Sequence, residues 1–307
     1  MNDLIVETQQ LTKKYGDQTV VNNVNLHIQR GKIYGLLGRN GAGKTTIMKM
    51  ILGLTRATSG EIMVFGQNIR KNRERVYPRI GAIIETPGFY PNLTATENLE
   101  IFAKLRGTCM PDAVKHALAV VGLPYKDKKL FGKYSLGMKQ RLGIANAIMH
   151  DPEFLILDEP INGLDPIGIA EIRNFLQSLS REFEKTILIS SHILSEIDLL
   201  ADDIGIIHDG NLLKEGSMES LRQKNQQYIL LRLSSTASAA RILERTFHGV
   251  RYQVEDDHIM RIYQTDLNLS ALNRMFITEN IDVSESRICA ESLEDYFKEL
   301  TGGVGIG

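Results

Sequence analysis

Gly38-Arg39-Asn40-Gly41-Ala42-Gly43-Lys44-Thr45-Thr46 follows the apolar run Ile33-Tyr34-Gly35-Leu36-Leu37 and precedes Ile47 to Leu54, whose apolar residues recur at helical spacing. Strand, glycine loop and helix in that order predict an α/β phosphate-binding unit. The loop reads GxxxxGK followed by Thr. Its glycines let backbone N–H groups turn toward a phosphate without a Cβ in the way. The helix N-terminus beyond them adds a partial positive charge. The spacing assigns Gly38, Arg39, Asn40, Gly41, Ala42, Gly43, Lys44, Thr45 and Thr46 to a nucleotide's phosphates. Lys44 reaches the β- and γ-phosphates, and the Thr45 hydroxyl ligates Mg²⁺.

Downstream, Phe154-Leu155-Ile156-Leu157 is an apolar strand that ends in Asp158-Glu159. A solvated acidic turn can end a strand this way. With a phosphate loop in the same chain, the pair reads as a Walker B motif. Asp158 then holds Mg²⁺, directly or through water. Glu159 polarises the attacking water as general base.

Around these motifs, residues 1–28 alternate short apolar runs and polar turns, at Leu4–Val6, Thr19–Val21 and Val24–Ile28, and predict strands of an antiparallel or mixed sheet. Glu61–Phe65 and Ile80–Ile84 add further strands, while 94–106 and 112–121 are predicted helical, with Thr94 and Pro111-Asp112 as start signals. Phe154–Leu157 and Thr186–Ser190 are continuous apolar strands of the buried parallel type. Ile204–Ile207 and Leu212–Leu213 flank His208-Asp209-Gly210-Asn211, a hairpin signal. A polar stretch near 222–227 marks a boundary, and the expected organisation is a domain of residues 1–220 followed by a small α+β appendage, 221–307. Within that appendage Tyr228–Leu233 and His258–Tyr263 read as strands, and Ala237–Thr246, Leu267–Glu279 and Ser292–Leu300 as helices.

Composition narrows the class. Lys and Arg total 36 against 37 Asp and Glu, a formal net charge of −1, which argues against a nucleic-acid partner. Cys109 and Cys289 have no metal-ligand spacing, so a reduced compartment is expected. MNDLIVETQQ has no basic segment followed by an apolar one, and no secretory signal is expected. The longest apolar runs fall well short of the ~20 residues that a bilayer-spanning helix requires.

Tyr134-Ser135-Leu136-Gly137-Met138-Lys139-Gln140-Arg141 lies shortly before the acidic strand. By itself it is a helix with Ser135 as a good N-cap. It also resembles the LSGGQ signature of ATP-binding cassette (ABC) ATPases. Ser135 and Gly137 are retained; Leu136 and Met138 replace the family's first glycine and its glutamine. Gly163-Leu164-Asp165 resembles the family's D-loop and Ser190-Ser191-His192 its H-loop. Tyr15, in Lys13-Lys14-Tyr15-Gly16, resembles the aromatic residue that stacks on adenine. The resemblance spans about residues 4–220, with the motifs in the family's order.

The resemblance implies a P-loop NTPase fold with an antiparallel β subdomain and a helical subdomain. It implies two Mg²⁺-ATP molecules at the interface of a head-to-tail dimer of identical chains. Each site uses Lys44, Thr45, Asp158, Glu159 and His192 from one subunit, with Ser135 and Gly137 from the other and Asp165 reaching across. The chain departs from the family at Glu85, where glutamine is usual. A carboxylate also ligates Mg²⁺, so Glu85 is expected to be a metal ligand and coupling residue, with a solvated loop acid as the plainer alternative.

The segments at 83–107, 134–148, 157–169 and 292–303 resemble ATPase subunits of the bacitracin-resistance and lantibiotic-immunity type. That resemblance implies a subunit beneath separately encoded permeases, at the cytoplasmic face of the membrane, clearing or exporting peptide antibiotics. Another exported substrate or a sensory role is the alternative. Family members that act on ribosomes or DNA usually carry two cassettes or a long coiled coil. This chain has one phosphate loop and no sustained heptads. Phe89, Tyr90, Phe102 and Leu105 are candidates for an apolar permease-docking groove, or else pack a small helical subdomain.

Overall fold

The computed structural model describes residues 3–85, 88–107, 112–223, 227–247, 249–290 and 297–298. Cys109, the glycine-rich C-terminus and most of the helix expected at 292–300 lie outside them. The chain divides into one compact unit up to Met218 and a second from Glu219. Among the described residues no helix is long and apolar enough to cross a membrane.

The first unit begins with β1 (Leu4–Tyr15), β2 (Gln18–Val24), β3 (His27–Gln29), β4 (Ile33–Leu37), α1 (Lys44–Ile51), β5 (Ser59–Val64) and β6 (Gln67–Asn68). It continues through α2 (Arg73–Val76), β7 (Ile80–Ile83), α3 (Ala95–Arg106), α4 (Ala113–Val120), α5 (Leu136–Ile148) and β8 (Phe154–Leu157). It closes with α6 (Pro166–Arg181), β9 (Thr186–Ser191), α7 (Leu194–Leu200), β10 (Asp203–His208) and β11 (Asn211–Ser217). The helix α8 (Met218–Gln223) follows, then β12 (Gln227–Leu233), α9 (Thr236–Thr246), β13 (Tyr252–Val254), β14 (Ile259–Ile262), α10 (Leu269–Thr278) and β15 (Val283–Ala290).

The central sheet has the order β11-β10-β4-β9-β8-β7, parallel from β10 to β7. Its middle strands β4, β8 and β9 are buried along their whole length, as parallel strands covered on both faces must be. A second, antiparallel sheet runs β2-β1-β5-β6, with β3 also paired to β1. The helix α1 joins the two sheets, burying Ile47, Met48, Met50 and Ile51 in one core with Ile5, Leu26, Ile62 and Leu36.

The first strand is far longer than the Leu4–Val6 run that its sequence suggests. Its pairing register slips against each of its partners, between Gln9 and Thr12 along β5, between Leu11 and Lys14 along β2 and between Leu4 and Val6 along β3, and Gln10 takes a left-handed φ of 49°. Each slip moves the side chains to the other face, so the apolar period resets mid-strand. The helix α1 starts at Lys44, three residues before its apolar pattern, because its first turn faces the phosphate loop and not the core.

The helices α3, α4 and α5 pack on one another. A capping box opens α3: the Thr94 hydroxyl accepts the Glu97 N–H, and Glu97 accepts the Thr94 N–H at 2.8 Å. That backbone bond holds the Glu97 carboxyl below its usual range. Of the apolar docking candidates, Phe89 is buried, edge-on to Phe102 at 5.4 Å and to Phe131 at 5.1 Å. It therefore belongs to the packing of this helical layer, whereas Tyr90 and Leu105 stand out into solvent, Leu105 at 77% exposure.

The hairpin between β10 and β11 forms as its sequence signals. His208 pairs Asn211, and Asp209 and Gly210 take φ of 45° and 77°, the two positive values of a type I′ turn. In the second unit four antiparallel strands order as β13-β14-β12-β15, with α9 and α10 packed on one face through Ala239, Leu243, Leu272 and Phe276. This is the split β-α-β arrangement. Its strand β15 reads as polar sequence and exists because β12 supplies a partner from Gln227↔Ala290 to Leu233↔Val283.

Candidate functional site

Functional side chains of open α/β sheets gather outside the carboxyl ends of the strands. Here β4 delivers the phosphate loop, its neighbour β9 delivers Ser190-Ser191-His192, and β8 beyond it delivers Asp158-Glu159. The loop is fastened to β9, because the Gly38 N–H donates to the Ser191 carbonyl at 3.2 Å. Gly43 ends it with a φ of 108°, and a Cβ there would lie 2.8 Å from the Val20 carbonyl oxygen. Only glycine meets both conditions. Arg39 and Asn40 are exposed at the crest, and Ala42 is buried beneath it.

Lys44 opens α1 with a side chain that is 5% exposed. Its Nζ donates to the Gly38 carbonyl at 2.6 Å and the Arg39 carbonyl at 3.2 Å, and lies 3.3 Å from Glu159 Oε1. The other carboxylate oxygen, Oε2, lies 2.9 Å from His192 Nδ1. Glu159 is thus held between Lys44, which the sequence assigns to the phosphates, and His192, which the resemblance places in the same site. Its φ of 49° places a non-glycine residue in the left-handed region, a strain of about 1–3 kcal/mol that persists only where the surroundings enforce it.

Asp158 is held from two sides. The Thr45 hydroxyl donates to Oδ2 at 2.9 Å, and the Ser190 hydroxyl donates to Oδ1 at 2.6 Å. Ser190 also accepts the Glu159 N–H at 2.8 Å. One buried serine therefore orients both carboxylates. Sequence reading assigns Ser190 no role of its own; the available signal is a pair of hydroxyl residues closing an otherwise apolar, buried strand. A second unassigned group is Glu196 in the first turn of α7, which accepts the Ser191 hydroxyl at 3.0 Å. Burial pushes the Glu196 carboxyl up from its usual range, and the nearby Glu159 charge adds to the shift.

Glu85, the departure from the family pattern, lies two residues beyond β7 with a φ of 61° and a side chain that is 68% exposed. Lys49, one turn along α1 from Thr45, donates to it at 2.6 Å. That hydrogen bond raises the Lys49 pKa. The structure thus gives Glu85 a cationic partner that the sequence reading did not foresee. Tyr15 ends β1 with its ring 50% exposed, and Lys13 Nζ lies 4.5 Å from the ring centroid. Thr46 is partly buried in the first turn of α1.

Ser135 caps α5, accepting the Met138 N–H at 3.3 Å, and Asp165 caps α6, accepting the Gly168 N–H at 2.8 Å. Together with Gly137 they line a separate cleft of about 450 Å³, to which Lys44, Glu159 and His192 do not contribute. The predicted residues therefore form two groups on one chain: a phosphate and carboxylate cluster, and a cleft at two capped helix N-termini.

The residues present fit a nucleoside triphosphate with a divalent cation. Glu159 Oε1 is buried with, among the described residues, the Lys44 ammonium as its only partner, an ion pair at 3.3 Å and no hydrogen bond, which leaves it acceptor capacity for a water proton. Thr45 and Asp158 supply the hard oxygen donors that Mg²⁺ prefers.

Comparisons with known proteins agree with this chemistry. Residues 21–162 match the ABC transporter family. The chain is 53% identical over 304 residues to a bacitracin transport ATP-binding protein of Enterococcus faecalis, covering 99% of this chain and 98% of that one. It is 47% identical over 211 residues to a lantibiotic transport ATP-binding protein of Streptococcus pyogenes, covering 69% of this chain and 90% of that one. A solved ATP-binding subunit of an ABC transporter superposes with a TM-score of 0.63 at 30% identity, covering 72% of this chain and 92% of that one.

Proposed function

The chain belongs to the family of ABC transporter ATP-binding proteins, and on that premise we propose that its ATP hydrolysis drives clearance or export of a peptide antibiotic of the bacitracin or lantibiotic class through separate permease subunits. The observation that carries the chemistry is Glu159 held between Lys44 and His192. Full-length similarity to a bacitracin transport protein supports the substrate class.

In this reading Lys44 and the loop amides of residues 38–46 bind the phosphates. Glu159 takes the proton of the attacking water, and His192 orients Glu159 and contacts the γ-phosphate. Thr45 and Asp158 hold Mg²⁺, with Glu85 beside them. When bound, the ion neutralises charge that develops on the phosphoryl oxygens. Tyr15 stacks on adenine. The separate cleft of Ser135, Gly137 and Asp165 supports completion of each site by a second copy of the chain. ATP closes the pair and hydrolysis reopens it. The subunit works at the cytoplasmic face of the membrane, docked on its permeases, with residues 1–220 as the ATPase domain and 221–307 as an accessory domain.

Glu159→Gln tests the assignment. Loss of a general base lowers turnover by about 10²–10⁴-fold. Size-exclusion chromatography with ATP is expected to show a trapped dimer. Hydrolysis at the wild-type rate refutes the base.

A further inference from the structure

We propose that Glu196 is a positioning residue for the Glu159–His192 pair: through Ser191 it clamps the turn that carries His192, and so sets how the imidazole meets Glu159.

His192 lies between two anchored elements. On one side, Ser191 is the last residue of β9, paired with Leu37 of β4 and fastened to the phosphate loop through Gly38. On the other side α7 begins at Leu194, with Ile193 as its cap. The Ser191 hydroxyl bridges the two. It accepts the Ile193 N–H at 3.0 Å and donates to Glu196 Oε2 at 3.0 Å, closing a ring of hydrogen bonds around His192. Glu196 stands at the third helical position, from which a capping-box glutamate reaches back to the cap residue. Ile193 has no side-chain oxygen to complete such a box, and Glu196 reaches past it to Ser191. The Ser191 side chain is buried, and its other acceptor, the Ile193 carbonyl, lies farther off at 3.3 Å and does not tie the turn to α7.

The result of the clamp is read at Glu159. His192 Nδ1 approaches Glu159 Oε2 to 2.9 Å, and Glu159 holds a strained backbone. A backbone turn free to rotate about His192 would shift that contact by a fraction of an ångström to an ångström, and misplacement on that scale costs about 10²-fold in rate at a reacting centre. Glu196 does not touch the phosphate loop, so ground-state nucleotide binding stays as it is.

The inference rests on Glu159 and His192 acting in hydrolysis, and the test separates the two. Steady-state ATPase of the full chain is measured for Glu196→Ala, Glu196→Gln, Ser191→Ala and the Ala/Ala double variant, with Glu159→Gln as control. Glu196→Ala is expected to lose about 10- to 100-fold in kcat with KM for ATP within about twofold, the signature of an interaction used in the transition state. Glu196→Gln still accepts from Ser191 and is expected to restore kcat to within about threefold of wild type. Ser191→Ala, which loses the Ile193 bond as well, is expected to fall at least as far as Glu196→Ala, and the double variant to be no worse than Ser191→Ala, since the Glu196 bond is already gone in it. Circular dichroism checks folding; should Glu196→Ala not fold, Ser191→Ala carries the same comparison. Wild-type kcat in the alanine variants, an equal loss in Glu196→Gln, or a rise in KM matching the fall in kcat each overturns the clamp. A fully active Glu159→Gln overturns instead the site reading beneath it.

Discussion

Replacing Ser190 by Ala removes one oxygen and disturbs both catalytic carboxylates. Ser190 is buried, donates to Asp158 at 2.6 Å and accepts the Glu159 N–H at 2.8 Å. A hydrogen bond to a charged group contributes about 1.5–3 kcal/mol, and the Glu159 amide left without a partner costs a further 1–3 kcal/mol. Against this, Glu159 is released from a left-handed backbone, recovering about 1–3 kcal/mol. The midpoint of that balance is a destabilisation of about 2 kcal/mol. The chain has no tryptophan, so urea unfolding is followed by far-UV circular dichroism. The relaxed Glu159 no longer meets His192 squarely, and kcat is expected to fall by about 10²-fold. KM changes little, because Lys44 keeps its bonds to the Gly38 and Arg39 carbonyls. A variant within about 0.5 kcal/mol of wild type, the scatter of neutral surface changes, and with full turnover refutes the argument that Ser190 holds the pair.

Gly43→Ala forces a Cβ to 2.8 Å from the Val20 carbonyl oxygen at a φ of 108°; a cost of about 1–3 kcal/mol and lost binding of a fluorescent ATP analogue are expected, and unchanged binding refutes the loop geometry. Tyr15→Ala removes a half-exposed ring and is expected to raise KM for ATP roughly 5- to 30-fold, the equivalent of about 1–2 kcal/mol of stacking, with kcat retained; an unaltered KM removes Tyr15 from the adenine site. Glu153 accepts from Arg79 at 2.5 and 2.9 Å, and these bonds, with Arg30, bring its pKa from 4.5 down to about 2. Because the folded pKa is the lower one, the stabilisation is complete above pH 4.5 and is lost as pH falls toward 2. The pair is two-fifths exposed, so its contribution is about 1 kcal/mol: Glu153→Gln is expected to lose this near neutrality and to match wild type at the acid end, and a constant difference across pH refutes the assignment.

The order of motifs made the central sheet and its phosphate loop legible, because a strand, a glycine loop and a helix leave one topology that brings amides to a phosphate. Lys44, Asp158, Glu159 and His192 meet at the carboxyl ends of the central strands because β4, β9 and β8 are neighbours, which the chain order alone does not state. Ser190 and Glu196 drew no role because a hydroxyl at a strand end and a glutamate on a helix have no function until the fold supplies their partners, Asp158 and Glu159 for the one and Ser191 for the other. Lys49 escaped because its partner lies 36 residues away. The extent of β1 was hidden by bulges that reset its period, and β15 by a polar sequence whose strand character is supplied by β12 across the sheet.

Two hairpin tips of the first unit look alike in sequence, each a two-residue turn containing glycine and aspartate, and they differ in what an evolving chain can do with them. At Gly16-Asp17 nothing lies within 4 Å of a Cβ added to the glycine. At Asp209-Gly210 the glycine is built in: its N–H donates to the Ala42 carbonyl inside the phosphate loop, its own carbonyl accepts from Asn22, and a Cβ would meet the Val20 carbonyl oxygen at 2.6 Å. Inserted residues at the first tip extend into open solvent. At the second they would pull a prop from under the phosphate loop. A short insertion is therefore less disruptive to the fold at residues 16–17 than at 209–210, although the usual rule assigns both turns to the tolerant surface.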